Sequence, residues 1–444
     1  MYDREYRRLI NMTDKALEEI RQNLEDDPDR WERIKRRAES LPAHYREIIE
    51  RKKKSEDTVI HFAAYVANDA MYGIHDVFRL MQKNRKRWEP KVVIIPDISR
   101  GTLHQEQTYL RTRDFFVTLY GADAVLDGWD IQTDSYIDAT DQFDIIYYAD
   151  PYDAMAPEVH SIQYAISRNV LPVYVNYGYD IGYYTMYSRM KGPELNYVWK
   201  YFTETVYSQA DCERLQIIRG RNAVLTGYAK MDAFAEYPSK KDSLRKKILV
   251  TAHHLIHFEG LPLSCFMTYY TLIPKLTALF PDVDFVFRPH PLLFARMINE
   301  KIWTPDQVRC YLDEIRKAGI EYSDGGDYLH LFAECDAIIN DCGSFTLEWL
   351  FTGKPGCFVL NEGLKEEHLT TQMKEAVKRY RIARSSGDII GFISDVSNGV
   401  YPIRYEMDDW VRENIAVNYP HAAEKILEEM DIMEGEESWT GNRM

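Results

Sequence analysis

The chain has 444 residues, of which 45% are hydrophobic, and its formal net charge is −15 at pH 7. This length exceeds what one compact core needs and suits two α/β domains with extensions. The acidic balance excludes a general nucleic-acid binder, because phosphate contacts need a basic face. No apolar run approaches the roughly 20 residues of a membrane-spanning helix, and the polar start of the chain lacks a signal-peptide core, so we expect a cytoplasmic protein.

In chain order, residues 1–56 carry apolar side chains at helical spacing among many charges, which predicts a helical N-terminal extension. We then predict an α/β domain over 57–240, a second over 247–400, and further helices over 401–444. The predicted strands are 58–65, 91–96, 143–148, 171–175, 222–227, 247–252, 283–287, 320–322, 336–339 and 356–360, with helices near 70–87 and 105–120. This alternation is typical of parallel sheets with helices on both faces.

Two strands of the second predicted domain end abruptly in polar residues. One is followed by Arg288 and His290, and the other by a small-residue turn that opens a helix. Ligands bind beyond the carboxyl ends of strands in such sheets, and a helix N-terminus suits a phosphate. We therefore predict a site for a nucleotide diphosphate. Its candidates from the turn and helix are Cys342, Gly343, Ser344, Thr346 and Glu348.

Each candidate also has a structural interpretation. His290 is expected to donate to a departing phosphate, with charge assistance when protonated, although a capping or buried histidine would have the same pattern. Arg288 could bind phosphate or fix its loop. Ser344 could be an ordinary N-cap, and Glu348 could accept ribose hydroxyls or form a salt bridge. His253 and His254 follow a strand and favour a phosphate or acceptor contact over a metal, so no metal and no cofactor is predicted.

These segments resemble the CDP-glycerol glycerophosphotransferase family, the polymerases and primases of teichoic acid synthesis. The family's Arg-x-His-Pro stands at 288–291, its Asp-Tyr-Ser-Ser turn at 341–344 and its Gly-x-Pro-Arg-x-Asp segment at 227–232. The resemblance covers roughly residues 170–362. It implies the GT-B architecture, an α/β fold of two Rossmann-like domains facing a central cleft, with the donor nucleotide in the second domain and the acceptor in the first.

One segment departs from the family pattern. The family's Trp-His-Gly, whose histidine is taken as the catalytic base, aligns with residues 176–180, which contain no histidine. Asp180 and Tyr177 are the candidate replacements. The resemblance otherwise implies that His290 and Arg288 hold the diphosphate with the Ser344 turn.

The function predicted on this basis is transfer of a glycerol-phosphate or related polyol-phosphate group from a CDP-linked donor to a hydroxyl acceptor in bacterial surface polymer synthesis. Two alternatives stay open. A His-Pro followed by a Ser-rich turn also occurs in bacterial sialyltransferases and Kdo transferases, so a glycosyltransferase with a CMP- or UDP-sugar donor is one. A non-catalytic scaffold homologue is the other. Expected partners are the nucleotide donor, a polyol or sugar acceptor that could be lipid-linked, and an anionic membrane surface at the inner face of the cell membrane, contacted peripherally through residues 1–56.

Overall fold

The computed structural model describes residues 28–99, 102–150, 153–237, 245–256, 261–341, 343–401 and 407–434. Within these ranges the chain forms two compact units. The first comprises the described parts of Met1–Gly178, Tyr187–Asp232 and Asn414–Met444. The second comprises those of Tyr179–Met186 and Ala233–Glu413.

The first unit is built on a parallel sheet whose central strands are buried at nearly every residue, as parallel strands covered on both faces are. The strands are β1 Ile60–Val66, β2 Trp88–Ile94, β3 Val125–Asp127, β4 Trp129–Asp130, β5 Ser135–Tyr136, β6 Ile145–Tyr148, β7 Leu171–Val175, β8 Lys200–Thr203 and β9 Ala223–Leu225. Seven of them form the sheet in the order β3-β2-β1-β6-β7-β8-β9, and β4 pairs with β5 as a small antiparallel ribbon.

The second unit contains a six-stranded parallel sheet. Its strands are β10 Lys246–Ala252, β11 Val283–Pro289, β12 Glu321–Tyr322, β13 Ala337–Asn340, β14 Gly356–Val359 and β15 Arg381–Ala383. Their order, β12-β11-β10-β13-β14-β15, is that of the doubly wound Rossmann sheet. The order reverses between β10 and β13, and the crevice at such a switch point is where ligands bind in this class of sheet.

Helices connect the strands of both sheets. In chain order they are α1 Pro28–Lys53, α2 His75–Lys83, α3 Thr102–Tyr120, α4 Ile162–Ser167, α5 Tyr183–Lys191, α6 Pro193–Tyr197, α7 Val206–Leu215, α8 Phe266–Tyr269, α9 Leu276–Leu279, α10 Leu293–Asn299, α11 Pro305–Lys317, α12 Leu329–Glu334, α13 Gly343–Glu348, α14 Thr371–Val377, α15 Ser386–Ser397, α16 Asp409–Asn414 and α17 Ala422–Met430. In the second unit, the side chains of α10, α11 and α15 pack with those of β10, β11 and β14 in one apolar core.

Helix α1 is an integral part of the first unit. Its apolar stripe, including Ile34, Leu41 and Tyr45, is buried, and the Tyr45 hydroxyl donates to the carbonyl oxygen of Tyr197. Lys52, in the basic run 51–54, is 9% exposed and pairs with two aspartates of the same unit. The predicted helical extension is therefore present over 28–53 but is packed onto the unit, while residues 1–27 lie outside the described part of the chain.

The C-terminal helix α17 also belongs to the first unit, which differs from the predicted separate segment 401–444. It packs against α2 with Ile426 and Met430 buried. Two residues of the 227–232 segment contact α17 or the residues just before it. Gly227 has a φ of +92°, and a Cβ there would lie 2.0 Å from the carbonyl oxygen of Val417. Asp232 Oδ2 accepts the backbone N–H of Ala423 at 2.7 Å. The first unit thus ends at Asp232, eight residues before the predicted boundary at 240, and resumes at Asn414.

Candidate functional site

The ends of three neighbouring strands form the candidate site in the second unit. Strand β10 lies between β11 and β13, and all three run parallel, so their carboxyl ends share one edge of the sheet. His253 follows β10, His290 follows β11 and Asp341 follows β13. The backbone N–H of His290 donates to Ala252 at 2.8 Å, which joins the first two strand ends directly. The predicted convergence of strand ends is therefore present at the switch point.

Asp341 holds the loop that follows β10. Its carboxylate is fully buried and accepts two backbone N–H groups, from His253 at 2.7 Å and from Cys265 at 2.6 Å. Such bonds satisfy donors that would otherwise be buried without partners. The aspartate of the turn motif thus sets the position of His253.

Three histidine rings lie together at this edge. The ring centroids of His254 and His290 are 4.0 Å apart, those of His253 and His254 are 4.5 Å apart, and those of His253 and His290 are 5.7 Å apart. Nδ1 of His290 accepts the N–H of Leu292 at 3.1 Å, and Nδ1 of His253 accepts that of Leu255 at 3.2 Å. In a neutral imidazole the other nitrogen then carries the proton. His253 and His290 are therefore Nε2–H donors.

All three rings are held neutral. Burial, and then the charge of Arg296, lowers the pKa of His290 to about 4. Burial, then the neighbouring His290 and Arg296, lowers the pKa of His253 to about 3. Burial and the two other histidines lower the pKa of His254 still further. Burial thus disfavours the imidazolium of His290, and the predicted role of His290 as a charge-assisted donor to a phosphate stays a prediction.

Arg288 fastens the loop that follows β12. Its Nη1 donates to Ser323 Oγ and its Nη2 to the carbonyl oxygen of Gly326, both at 2.7 Å, and the side chain is 7% exposed. Its guanidinium carbon lies 5.6 Å from the ring centroid of Tyr328. Of the two interpretations of Arg288, these contacts match the structural one, with neutral partners instead of an acidic side chain. Its predicted role in phosphate binding stays a prediction.

Glu348 is almost completely buried on α13. It is 1% exposed, and its Oε2 accepts the hydroxyl of Tyr328, the residue under the Arg288 guanidinium. This contact is neither the ribose contact nor the salt bridge expected from the sequence. It ties α13 to the same loop that Arg288 holds.

The small-residue turn has a packing role. A Cβ on Gly343 would lie 1.9 Å from Cδ1 of Ile181, so any larger residue there requires the Ile181 side chain to move. Thr346 is fully buried, and its Oγ1 donates to Asn340 Oδ1 at 3.1 Å. Ser344 is half-buried in the first turn of α13, a helix of six residues. Cys342 lies outside the described residues. Ser344 therefore remains the candidate of this turn for a ligand contact.

The two candidate replacements for the catalytic base lie in different units. Tyr177 belongs to the first unit, is half-buried, and its carbonyl oxygen accepts the Tyr228 hydroxyl at 3.0 Å. Asp180 belongs to the second unit. Its carbonyl oxygen accepts Thr370 Oγ1 at 2.8 Å and Gln372 Nε2 at 2.6 Å. Asp180 therefore lies in the second unit instead of the first, because the short segment 179–186 packs with the second unit. Its predicted role as a base stays a prediction.

Sequence reasoning missed a pair of carboxyl groups in the first unit. Burial, and then the charge of Asp153, raises the pKa of Glu194 on α6. Burial also raises the pKa of Asp153, whose Oδ1 accepts the N–H of Ile162 at 2.7 Å. Carboxyl groups perturbed in this way are candidates for proton transfer. The only sequence signal was the position of Asp153 shortly after the strand that became β6.

Arg296 was also missed. It lies on α10, the helix that begins three residues after His290, and its charge acts on all three histidines. The signal available in the sequence was its spacing of six residues from His290, in the helix after the strand end.

Comparison with known proteins identifies solved structures with a similar fold. No family model and no curated protein matches the chain. Among solved structures, the chain is similar to the wall teichoic acid polymerase TagF, with a TM-score of 0.52 and 13% identity over 90% of this chain and 98% of that one. It is also similar to the UDP-GlcNAc 2-epimerase from Neisseria meningitidis bound to UDP-GlcNAc, with a TM-score of 0.52 and 16% identity over 83% of this chain and 98% of that one. Another UDP-N-acetylglucosamine 2-epimerase has a TM-score of 0.50 and 13% identity over 84% and 96%.

These neighbours define the class of fold. The chain has a GT-B-like α/β fold, as predicted, and it shares that fold with TagF, a member of the resembled group of polymerases, and with epimerases of nucleotide sugars. At these identities the likeness extends to the fold alone. In the described ranges, no helix has the length and apolar character needed to cross a bilayer. The same ranges hold no group of three His, Cys, Asp or Glu arranged to bind a metal ion.

Proposed function

We propose that the chain is a GT-B transferase that binds a nucleotide-linked donor at the carboxyl ends of β10, β11 and β13. The observation that carries this proposal is the set of three neutral imidazoles at the switch point, two of them with defined Nε2–H donors. Hydrogen-bond donors grouped at this edge of a doubly wound sheet suit the diphosphate of such a ligand. Two proteins of similar fold support this proposal, since one is an epimerase bound to UDP-GlcNAc and the other is a polymerase whose crystals were soaked with CDPG.

The reaction we propose is transfer of a glycerol-phosphate or related polyol-phosphate group from a CDP-linked donor. The acceptor hydroxyl attacks the β-phosphorus, the bond from that phosphorus to the bridging oxygen breaks, and CMP leaves with the electron pair. His290 and His253 donate to phosphate oxygens, and catalysis rests on positioning and on stabilising the departing phosphate. No cofactor takes part in this scheme, because the nucleotide is a substrate.

The proton of the acceptor hydroxyl needs a base. Because residues 176–180 contain no histidine, we propose Asp153 for this role, with Tyr177 and Asp180 as the alternatives. In the pair of Asp153 and Glu194, burial raises both pKa values and Asp153 pushes that of Glu194 further. Asp153 therefore ionises at a lower pH than Glu194. A base has to be ionised at the working pH, which favours Asp153.

Nucleotide binding is the first test. A thermal-shift series with CDP, CMP, UDP, GDP and ADP should show stabilisation by the cytidine nucleotides, because a ligand that binds only the folded state raises its apparent stability. Preference for UDP would favour the alternative of a sugar transferase. Absence of stabilisation by every nucleotide would overturn the proposal.

His290→Ala tests whether His290 takes part in turnover. Loss of one donor to a departing group typically lowers the rate by roughly 10²- to 10³-fold. The matched control is His330→Ala, since that histidine lies on α12 of the same unit and its side chain is 45% exposed. Nucleotide binding without turnover in the wild-type protein, with CDP-glycerol and a range of polyol and sugar acceptors, would indicate the scaffold homologue.

We also propose a peripheral contact with anionic membranes, which would bring a lipid-linked acceptor within reach. The apolar face of α1 is already buried, so such a contact relies on its exposed charges, including Arg51 and Lys53, and on residues 1–27. Vesicle sedimentation should then fall with added salt and with Arg51→Glu combined with Lys53→Glu. Equal sedimentation of the variant and the wild-type protein would contradict it.

A further inference from the structure

The candidate donor site has many neutral donors and little obvious charge. The three imidazoles are neutral, yet a nucleoside diphosphate carries at least two negative charges. Arg288, the cation named by the motif, donates from both Nη atoms to the loop after β12. The donors of Lys354 are also used within the protein, since its Nζ donates to three backbone carbonyls at the end of α12. The positive charge of the site therefore needs another source.

Arg296 has the right position. Helix α10 starts directly after the strand end, with Leu293 N–H donating to His290 at 2.8 Å and Arg296 N–H donating to Leu292 at 2.9 Å. Arg296 is therefore the fourth residue of the helix that follows the strand end of His290, and its side chain is 32% exposed. The electrostatic influence of Arg296 on all three histidines agrees with this placement.

The donors of Arg296 are also available. Its ion pair runs from Nε to Glu300 Oε1 at 3.3 Å, one turn further along α10. Among the residues that the structure describes, none forms a hydrogen bond or ion pair with its two Nη groups. His254 adds a second polar group without a partner there, because its Nδ1 is buried and makes no hydrogen bond.

We infer that Arg296 is the cationic ligand of the donor diphosphate, alongside the Nε2–H groups of His253 and His290. This inference rests on the proposed function for the location of the diphosphate. A guanidinium pairs with phosphate oxygens through charge-assisted hydrogen bonds, which are stronger than the neutral ones that the imidazoles offer. Arg288 then has the separate role of positioning the loop after β12.

The test compares Arg296→Gln with Arg309→Gln. Arg309 is a matched control, because it lies on α11 of the same unit, its side chain is 71% exposed and it pairs with Asp306. Affinities for CDP, inorganic pyrophosphate and cytidine are measured by calorimetry over a series of salt concentrations. Loss of one charged hydrogen-bonding group should weaken CDP and pyrophosphate binding by roughly 10- to 100-fold in Arg296→Gln. Cytidine binding should not change, and the salt dependence of CDP binding should become shallower.

Each outcome separates this inference from the proposed function. If the wild-type protein binds CDP and Arg296→Gln binds it equally well, the assignment of Arg296 is wrong and the function stands. If pyrophosphate binding depends on Arg296 but no nucleotide binds, the proposed function fails and the anion site stands. Binding of neither ligand by the wild-type protein overturns both. If Arg296→Gln does not fold, Arg296→Lys keeps the charge and should retain part of the pyrophosphate affinity.

Discussion

Asp232 offers a quantitative test of whether the 227–232 segment is structural. The residue is 8% exposed, and its Oδ2 accepts the N–H of Ala423 at the start of α17. Burial, only partly offset by these backbone hydrogen bonds, raises the pKa of Asp232 to about 7 from an ordinary value of 3.8. The folded protein therefore holds a proton on this carboxyl that the unfolded chain releases.

The sign of the effect follows from this difference. A group whose folded pKa is raised contributes stability below its unfolded pKa, and that contribution is lost as the pH rises through the folded pKa. With values of 3.8 and about 7, the linkage relation gives a loss of about 2.5 kcal/mol in the free energy of unfolding between about pH 5 and pH 8. Asp232→Asn stays neutral throughout and should not show this loss.

The assay is urea unfolding of the wild-type and Asp232→Asn proteins over this pH range. Hydrogen exchange of peptides that cover α17 supplies a local readout of the same region. The control Asp313→Asn, at an exposed residue of α11 paired with Arg316, should follow the wild-type curve. Parallel pH profiles for the wild-type protein and Asp232→Asn would refute the reasoning, because they would mean that the buried carboxyl is not protonated. Loss of turnover in a stabilised Asp232→Asn would instead give the segment a role in the chemistry.

Three further predictions concern the second unit. Gly343→Ala should lower its free energy of unfolding by about 1–3 kcal/mol, because the new Cβ meets Ile181, and calorimetry of Gly343→Ala with Ile181→Ala should show partial recovery. Lys354→Met should destabilise the unit by about 3 kcal/mol in urea unfolding, since three buried carbonyls lose a charged donor, whereas little change would argue that water replaces it. The pKa values of His253 and His290 are lowered to about 3 and about 4, so both rings stabilise the folded protein at a pH above their unfolded pKa. As the pH falls to about 5, each histidine should reduce the free energy of unfolding by about 2 kcal/mol. In urea unfolding, His290→Gln should remove the part of this pH dependence that comes from His290.

Every predicted strand has a counterpart in the structure, and most of these strands consist of buried, apolar residues. Residues 145–148 and 171–175 are buried throughout, so local composition is enough to identify them. Strand β8 was missed because it begins with Lys200, which argues against a buried strand. That lysine is accommodated by Glu429 of α17, whose Oε2 lies 2.8 Å from its Nζ. A partner more than 200 residues away in the chain leaves no local signal.

The location of the candidate site was predictable, but the roles within it were not. Polar residues at strand ends mark the edge where ligands bind, and His253, His290 and Asp341 do lie there. The same residue types also satisfy buried backbone groups, which is the observed role of Asp341. Sequence cannot separate these roles, because both need a polar side chain directly after a buried strand. Arg288 illustrates the consequence, since it holds a loop although it stands at the motif position.

Several buried ionisable side chains bear on whether the chain is an enzyme or a scaffold. Burial disfavours the charged forms of His253, His254 and His290 in the second unit and of Asp153 and Glu194 in the first. Buried ionisable groups lower stability relative to apolar residues of similar size, so a protein that only binds a partner gains nothing from keeping them. Chemistry does gain, because donors and bases with shifted pKa values are what proton transfer and phosphate departure need. We therefore expect that the proposed transfer uses a base other than a histidine at residues 176–180.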